Sequence, residues 1–181
     1  RAGKEHADVY KTYTRVFKSV TVPNTFGHRE DYPLFVQKLR DIESVQQGYL
    51  QTISLREEVA NNTLAMQSAC TKHHKEVFEA YRLVTEGVSL IPQFTNVGDK
   101  EIFLNSLRDF VEVQQQYLAT VQRLDAIQQR SDSIVALCGK KISDVATAYR
   151  TLAGNTSFIP TFKTLSGATF FTNTLDDFEE L

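Results

Sequence analysis

The sequence contains few of the residues that interrupt helices, with four prolines and eight glycines among 181 residues. It also has no tryptophan, one methionine and two cysteines. Two cysteines alone form no metal-binding pattern, and unpaired cysteines suit a reducing compartment. Lysine and arginine number 20 against 22 aspartates and glutamates, which leaves a net charge of −2. This balance excludes a protein that holds nucleic acid through bulk positive charge.

Long apolar runs are also missing. No stretch approaches the ~20 apolar residues that a membrane-spanning helix requires, and no signal peptide opens the chain. A chain of 181 residues is about one domain in length, and its 41% of hydrophobic residues excludes a disordered or fibrous protein. Because the first residue is Arg1 and not methionine, we interpret the chain as a fragment, a processed form or an ordered part of a longer protein. We expect a cytoplasmic location, either free or peripheral to a membrane or the cytoskeleton.

The chain contains an internal repeat. When residues 31–98 are laid over residues 99–166 without a gap, 21 of the 68 positions are identical. Ordinary composition would produce about one identity in fifteen positions. We call the offset of 68 residues between the two blocks the repeat interval. The sequence therefore predicts one continuous helical domain with four parts: the end of a preceding repeat at 1–30, a first repeat at 31–98, a second repeat at 99–166 and the start of a further repeat at 167–181.

Each repeat has the spacing of a long helix followed by a connector. Its apolar residues alternate at intervals of four and three, which is typical of a helix packed against another helix. The pattern predicts an all-α fold of long antiparallel helices, about 50 residues each, in a helical hairpin or bundle. A break near Gly48 or Gly139 is compatible with it. We call the row that faces the neighbouring helix the seam, and its predicted members are Phe35, Leu39, Tyr49, Tyr81, Phe103, Leu107, Phe110, Tyr117, Val121, Leu124, Val135, Ile142, Val145 and Tyr149.

The connectors carry the signals that end a helix. Gly87 suits a helix C-terminus, and Pro92 cannot continue a helix because it has no amide hydrogen. Asp99 is a candidate cap for the helix that follows, as is Asp31 one repeat earlier. Phe94, with its counterpart Phe162, is expected to close the end of the bundle.

Two features leave alternatives open. Gln46 and Gln114 occupy the same position in the two repeats, and they either fix the register of the helices or point partly to solvent; the second alternative is slightly favoured. The basic segment 1–30 and the acidic segment 167–181 dock on the hairpin, associate head to tail between molecules, or have no role.

Candidate catalytic and metal-binding residues are few. Cys70, His73 and His74 lie together, but the second repeat keeps only Cys138 and has Lys141 and Ile142 in place of the histidines. Zinc requires three or four converging ligands, so a structural role for the cysteines is favoured. We predict no cofactor, no metal, no catalytic residue and no small-molecule substrate.

Basic residues recur at matching positions in the two repeats and in the first segment. They could contact an anionic membrane or an acidic partner, although most charged helix faces are simply solvated. The candidates are Lys4, Lys72, His73, His74, Lys75, Lys140 and Lys141.

The segments IFLNSLRDFVEVQQQYL (102–118), SDVATAYRTLAG (143–154) and FFTNTLDDFEEL (170–181) resemble BAR domains of the sorting-nexin type. The resemblance extends from Ile102 to Leu181 and depends on spacing. It implies a dimer that forms a curved six-helix bundle and binds curved membranes through basic residues on its concave face. The gapless repetition and the sparse basic face depart from that family.

We therefore expect a structural protein. The preferred hypothesis is a scaffold for protein–protein interaction, an elongated helical spacer linked to the cytoskeleton or to self-assembly. The alternative is a BAR-like dimer that senses or shapes membranes, and an enzyme is third, without positive support. Expected partners are other proteins and further copies of the chain, with an anionic membrane as a further candidate and nucleic acid excluded.

The seam predicts which substitutions destabilise the fold. Tyr117→Asp or Tyr149→Asp should lower the melting temperature sharply, because each places a charge in a helix interface. Glu112→Lys, off the seam, should change it little. Thermal unfolding followed by circular dichroism measures all three, and an unchanged melting temperature in both tyrosine variants would contradict the seam.

Overall fold

Helices account for most of the described chain. The computed structural model describes residues 6–19, 29–70, 73–92, 94–138, 142–154, 158–160 and 162–181. Within these ranges there are six helices and no strand. They are α1 (Ala7–Ser19), α2 (Asp31–Cys70), α3 (Lys75–Thr85), α4 (Val97–Cys138), α5 (Ser143–Ala153) and α6 (Leu165–Glu180). The predicted all-α fold is confirmed.

The long helices are shorter than the sequence pattern predicts. α2 has 40 residues and α4 has 42, and each is followed by a separate helix of 11 residues, α3 or α5. Gly48 does not interrupt α2, and a Cβ at this position would collide with the side chain of Lys100. Close approach of another side chain therefore explains this glycine. Gly139 lies outside the described residues.

Helix bounds recur at the repeat interval. α5 begins and ends one repeat after α3, and α2 and α4 both end at a cysteine, Cys70 or Cys138. α3 folds back along α2, since the Tyr81 hydroxyl lies 3.3 Å from Thr63 Oγ1. The same helix runs antiparallel to α4, because His74 meets Asp125 while Tyr81 meets Gln114, earlier in α4. These contacts therefore identify the short helix α3 as an antiparallel neighbour of the long helices α2 and α4.

The helices form two compact units. The first unit comprises Arg1–Asn61 and Gly87–Val111, and the second comprises Asn62–Glu86 and Glu112–Leu181. The core of the first unit contains Val9, Val45, Tyr49, Ile53 and Phe94. The core of the second unit contains Met66, Cys70, Val77, Tyr81, Val113, Tyr117, Val121, Leu124, Ile127, Phe162, Ala168, Phe171 and Leu175.

The connectors end and restart helices through local backbone geometry. Gly87 has a φ of +88°, the left-handed conformation that favours glycine after a helix. α4 is capped by Asn96, whose Oδ1 accepts a hydrogen bond from the Asp99 amide at 3.0 Å. Thr164, one repeat later, caps α6 in the same way. The prediction that Asp99 is the cap is wrong, because helix α4 begins at Val97, before this aspartate.

The seam is buried over only part of its predicted length. Six members are buried and four are half-buried: Tyr49, Tyr81, Leu107, Tyr117, Val121 and Leu124 in the first group, Phe35, Phe103, Phe110 and Tyr149 in the second. The remaining four, Leu39, Val135, Ile142 and Val145, are exposed, and the prediction is wrong for them. Leu39 precedes Val45, the first residue of α2 in the core of the first unit. The other three lie in α5, just before it, or near the end of α4. Helix α6 ends at Glu180, the counterpart of Glu112, so the described residues include no counterpart of the α4 segment from Gln114 onward that lies beside α3.

The pair Leu107 and Leu39 tests this difference. The two leucines occupy matching positions of the two repeats, but Leu107 is 0% exposed and Leu39 is 40% exposed. We expect Leu107→Ala to lower the free energy of unfolding by about 2–5 kcal/mol, because it leaves a cavity in the core. Leu39→Ala is the matched control and should cost less than about 1 kcal/mol. Urea unfolding measures both, and equal losses would contradict the burial described here.

Candidate functional site

A buried glutamine joins three helical segments in the second unit. The Nε2 atom of Gln114 donates hydrogen bonds to the Tyr81 hydroxyl at 2.7 Å and to Thr63 Oγ1 at 3.0 Å. Gln114 is 0% exposed, so its amide depends on these partners in place of water. A shift of α4 by one residue along α3 would separate donor and acceptor. The contact therefore sets the register of α4 against α3.

Tyr117 extends this contact to the connector. Its hydroxyl donates to the backbone carbonyl of Phe162 at 3.1 Å, and its ring lies 4.5 Å from the ring of Phe162. The ring also meets Tyr81 edge-on at 5.7 Å. Burial raises the pKa of Tyr117 to about 12, because the charged phenolate would lose its hydration. The side chain is therefore a neutral hydrogen-bond donor at physiological pH.

The first unit contains the same four contacts one repeat earlier. Gln46 Nε2 donates to the Tyr13 hydroxyl at 3.1 Å, and the Tyr49 hydroxyl donates to the Phe94 carbonyl at 3.4 Å. The rings of Tyr13 and Tyr49 are 5.5 Å apart, and those of Tyr49 and Phe94 are 4.5 Å apart. We call these contacts the Gln–Tyr–Tyr–Phe set. Its members are Gln46, Tyr13, Tyr49 and Phe94 in the first unit, and Gln114, Tyr81, Tyr117 and Phe162 in the second.

The geometry decides between the two alternatives for the glutamines. Gln114 is buried and Gln46 is half-buried, and each donates to a tyrosine of a short helix. The solvent-facing alternative is therefore wrong for Gln114. The register alternative agrees with both positions, because a misaligned buried amide would lose its partners.

The terminal helices dock within their own units. In the first unit, Arg56 Nη1 lies 2.8 Å from Asp8 Oδ2, which ties α1 to α2. In the second, Arg123 of α4 contacts Asp176 at 2.5 Å and Glu179 at 3.2 Å on α6. Burial alone would lower the pKa of Arg123, but its hydrogen bonds to these two carboxylates raise it. The acidic end of the chain therefore pairs with a cation of the same unit.

The basic positions are only partly covered by the structure. Lys4, Lys72, Lys140 and Lys141 lie outside the described residues. His73 and Lys75 are exposed, while His74 is half-buried and its Nε2 lies 2.6 Å from Asp125 Oδ1. The described part of the cluster thus includes one histidine that is engaged by a carboxylate of α4.

The two cysteines have the surroundings of packing residues. Cys70 and Cys138 are both buried and free of disulfides. Burial, with a smaller contribution from the charge of Asp125, raises the pKa of the Cys70 thiol. Within the described ranges, no group of three histidine, cysteine or acidic side chains is placed to hold a metal ion. Over the same ranges, no helix combines the length and apolarity needed to cross a bilayer.

The sequence pattern missed the hydroxyl groups that complete the site. Thr63 contacts Tyr81, and Ser131, at the matching position of the second repeat, makes the same contact with Tyr149. Both residues stand out in the sequence only as weak polar members of an apolar seam. The available signal was that a hydroxyl side chain occupies this position in both repeats.

The hydrogen bonds that Tyr117 and Tyr49 donate to the connectors are expected to differ in strength. Tyr117→Phe keeps the ring and leaves the Phe162 carbonyl without this donor, so we expect a loss of about 1–3 kcal/mol in the free energy of unfolding. Tyr49→Phe should cost less, because the Tyr49 bond is longer, 3.4 Å against 3.1 Å. Chemical denaturation at pH 7 compares the two variants, and a larger loss for Tyr49→Phe would contradict this ranking.

The free energy of unfolding at alkaline pH supplies a control for the Tyr117→Phe variant. In the unfolded chain a tyrosine loses its proton near pH 10, whereas folded Tyr117 keeps its proton until about pH 12. The unfolded state therefore binds fewer protons in this window, and the free energy of unfolding falls as the pH rises from 10 to 12. Tyr117→Phe should show a shallower fall, by up to about 1.4 kcal/mol per pH unit.

Comparison with known proteins adds no family. No protein-family model, curated protein or solved structure matches the chain. The contacts within the two compact units are therefore the basis of the functional proposal.

Proposed function

We propose that the chain is a structural scaffold made of tandem 68-residue helical repeats, in which each repeat binds the next through the Gln–Tyr–Tyr–Phe set. The observation that carries the proposal is the occurrence of this set twice, at the same interval as the sequence repeat. A protein of this kind holds other proteins, or copies of itself, at set distances along a helical spacer.

The set supports the proposal because of what it connects. In the second unit, it joins the short helix α3 to the long helix α4 and then to the connector that precedes α6. In the first unit, it joins α1 to α2 and to the connector that precedes α4. A short helix is thus held by the long helix that follows it in the chain. Contacts confined to neighbours allow repeats to be added without changing those already present.

Duplication of one repeat tests the proposal. A second copy of residues 99–166, inserted after residue 166, keeps the register of every helix. We expect unchanged ellipticity per residue and slow amide exchange in the inserted α4 segment. Small-angle scattering should show a larger maximum dimension. We expect these results because, under the proposal, each repeat needs contacts only with its neighbouring repeats in order to fold.

The matched control carries Gln114→Ala and Tyr117→Asp in the inserted copy alone. It has the same length and nearly the same composition, but it lacks the contact set in the added repeat. Its inserted segment should exchange amides faster than that of the unmodified duplicate. Equal exchange in the two chains, or a duplicate that fails to fold, would contradict the proposal.

Membrane binding is the alternative that this proposal competes with. Co-sedimentation with anionic liposomes over a salt series compares the chain with a variant carrying Lys72→Glu, Lys75→Glu, Lys140→Glu and Lys141→Glu. Under the scaffold proposal, neither chain sediments with liposomes at low salt. Binding that falls with salt and disappears in the variant would favour the BAR-like alternative instead.

A further inference from the structure

Helix α5 has the same side chain as α3 at four of eleven matching positions, a valine and a tyrosine among them, but these two are not covered in the same way. Tyr149 contacts the Ser131 hydroxyl just as Tyr81, one repeat earlier, contacts Thr63. Tyr81 is buried, whereas Tyr149 is only half-buried. The difference is larger for the valine four residues before each tyrosine: Val77 is 3% exposed and Val145 is 50% exposed.

A groove lies beside Tyr149 in the second unit. Its volume is about 600 Å³, and its lining includes Ile127, Val135, Tyr149, Ala153, Phe158 and Phe178. Phe178, near the end of α6, meets Phe158 edge-on at 4.8 Å and lies 6.5 Å from Tyr149. Its lining also includes polar and charged side chains, so the groove offers both apolar surface and hydrogen-bonding groups: His73, His74, Glu76, Gln128, Ser131, Asp132 and Arg150.

The corresponding position beside Tyr81 shows what fits such a surface. There α4 supplies Gln114, which donates to the Tyr81 hydroxyl, and Tyr117, whose ring meets Tyr81 edge-on. Val121 follows one turn later and belongs to the same buried cluster as Val77. One helix thus supplies the donor to the hydroxyl and apolar side chains to the cluster in which the valine is buried.

Tyr149 has part of this environment. The described residues supply its serine partner and the ring of Phe178. Among them, no glutamine lies within hydrogen-bonding distance of the Tyr149 hydroxyl, and no helix covers Val145. The surroundings of Tyr81 differ from those of Tyr149 by the helix that carries Gln114, Tyr117 and Val121.

We infer that this groove, together with the exposed side of α5 at Val145, is a docking site for the long helix of a further 68-residue repeat, one that carries glutamine and tyrosine three residues apart and an aliphatic residue four residues later. The glutamine amide donates to the Tyr149 and Ser131 hydroxyls, the tyrosine ring packs on Tyr149, and the aliphatic residue covers Val145. The inference rests on the proposed function, because it extends the Gln–Tyr–Tyr–Phe set to a third position.

An in-register extension of the full chain tests the inference. Leu181 is one repeat interval after Val113, so a copy of residues 114–138 fused after Leu181 places its glutamine and tyrosine where a further repeat would have them. We expect amide exchange in α5 to slow at least ten-fold, together with a rise in Tm. The matched control is the same extension with alanine in place of its glutamine and tyrosine, and it should leave α5 exchange near that of the unextended chain.

A second pair of variants assigns the effect to the exposed side of α5 that adjoins the groove. Val145 is half exposed, so Val145→Glu should fold and abolish the slowing of α5 exchange in the extended chain. Thr147→Glu, at an exposed position of the same helix, should preserve it. Equal α5 exchange in the extended chain and its alanine control would overturn the inference.

Light scattering on the unextended chain tests whether a second copy of the chain occupies the groove instead. A dimer that is lost in Val145→Glu would assign the groove to a second copy and overturn the inference. A monomer agrees with it. The repeat duplication separates the two levels of failure: if the duplicate folds as expected but the extension does not protect α5, only this docking site is wrong, and the scaffold proposal stands.

Discussion

A tyrosine buried between helices must bring its hydroxyl group to a hydrogen-bonding partner, and this requirement organises both compact units. Tyr117 has no exposed surface, so its hydroxyl depends on the carbonyl of Phe162. The connector must therefore carry Phe162 past the ring of Tyr117, which also buries the phenylalanine. Gln114 imposes a similar requirement on Tyr81, because a buried amide without partners would cost about 1–3 kcal/mol. Together these polar groups permit only one register between a short helix and the long helix that follows it.

The same requirement accounts for the short helices. If α2 continued straight through the residues of α3, Tyr81 could not return to Thr63, which lies 18 residues earlier in the chain. Folding back brings the hydroxyls of Thr63 and Tyr81 and the amide of Gln114 to one place. Ending the long helix loses a few backbone hydrogen bonds, whereas the fold-back buries Val77 and Tyr81.

Residues that match across the repeat experience different surroundings, and this difference is the basis of the proposed docking site. Val77 and Val145 are the same residue at matching positions, yet only Val77 is covered. Tyr149 keeps the hydroxyl contact of its counterpart without the glutamine. Because repeats in such a stack contact their neighbours, a surface that is covered in one repeat and uncovered in the next is where the proposed further repeat would bind. The proposed scaffold and the proposed docking site are therefore two consequences of one contact set.

The helical character, the connector positions and the repeat interval were determined by the sequence alone, because periodicity, proline and glycine act over a few residues. Gly87 adopts its expected left-handed conformation for this reason. The ends of the long helices, the capping role of Asn96 and the burial of Gln114 could not be predicted in this way. Matching leucines such as Leu39 and Leu107 have the same spacing signal, so spacing predicts that both are buried. Only the tertiary structure decided which one is, because burial depends on whether another segment lies over the residue, and no local pattern contains that information.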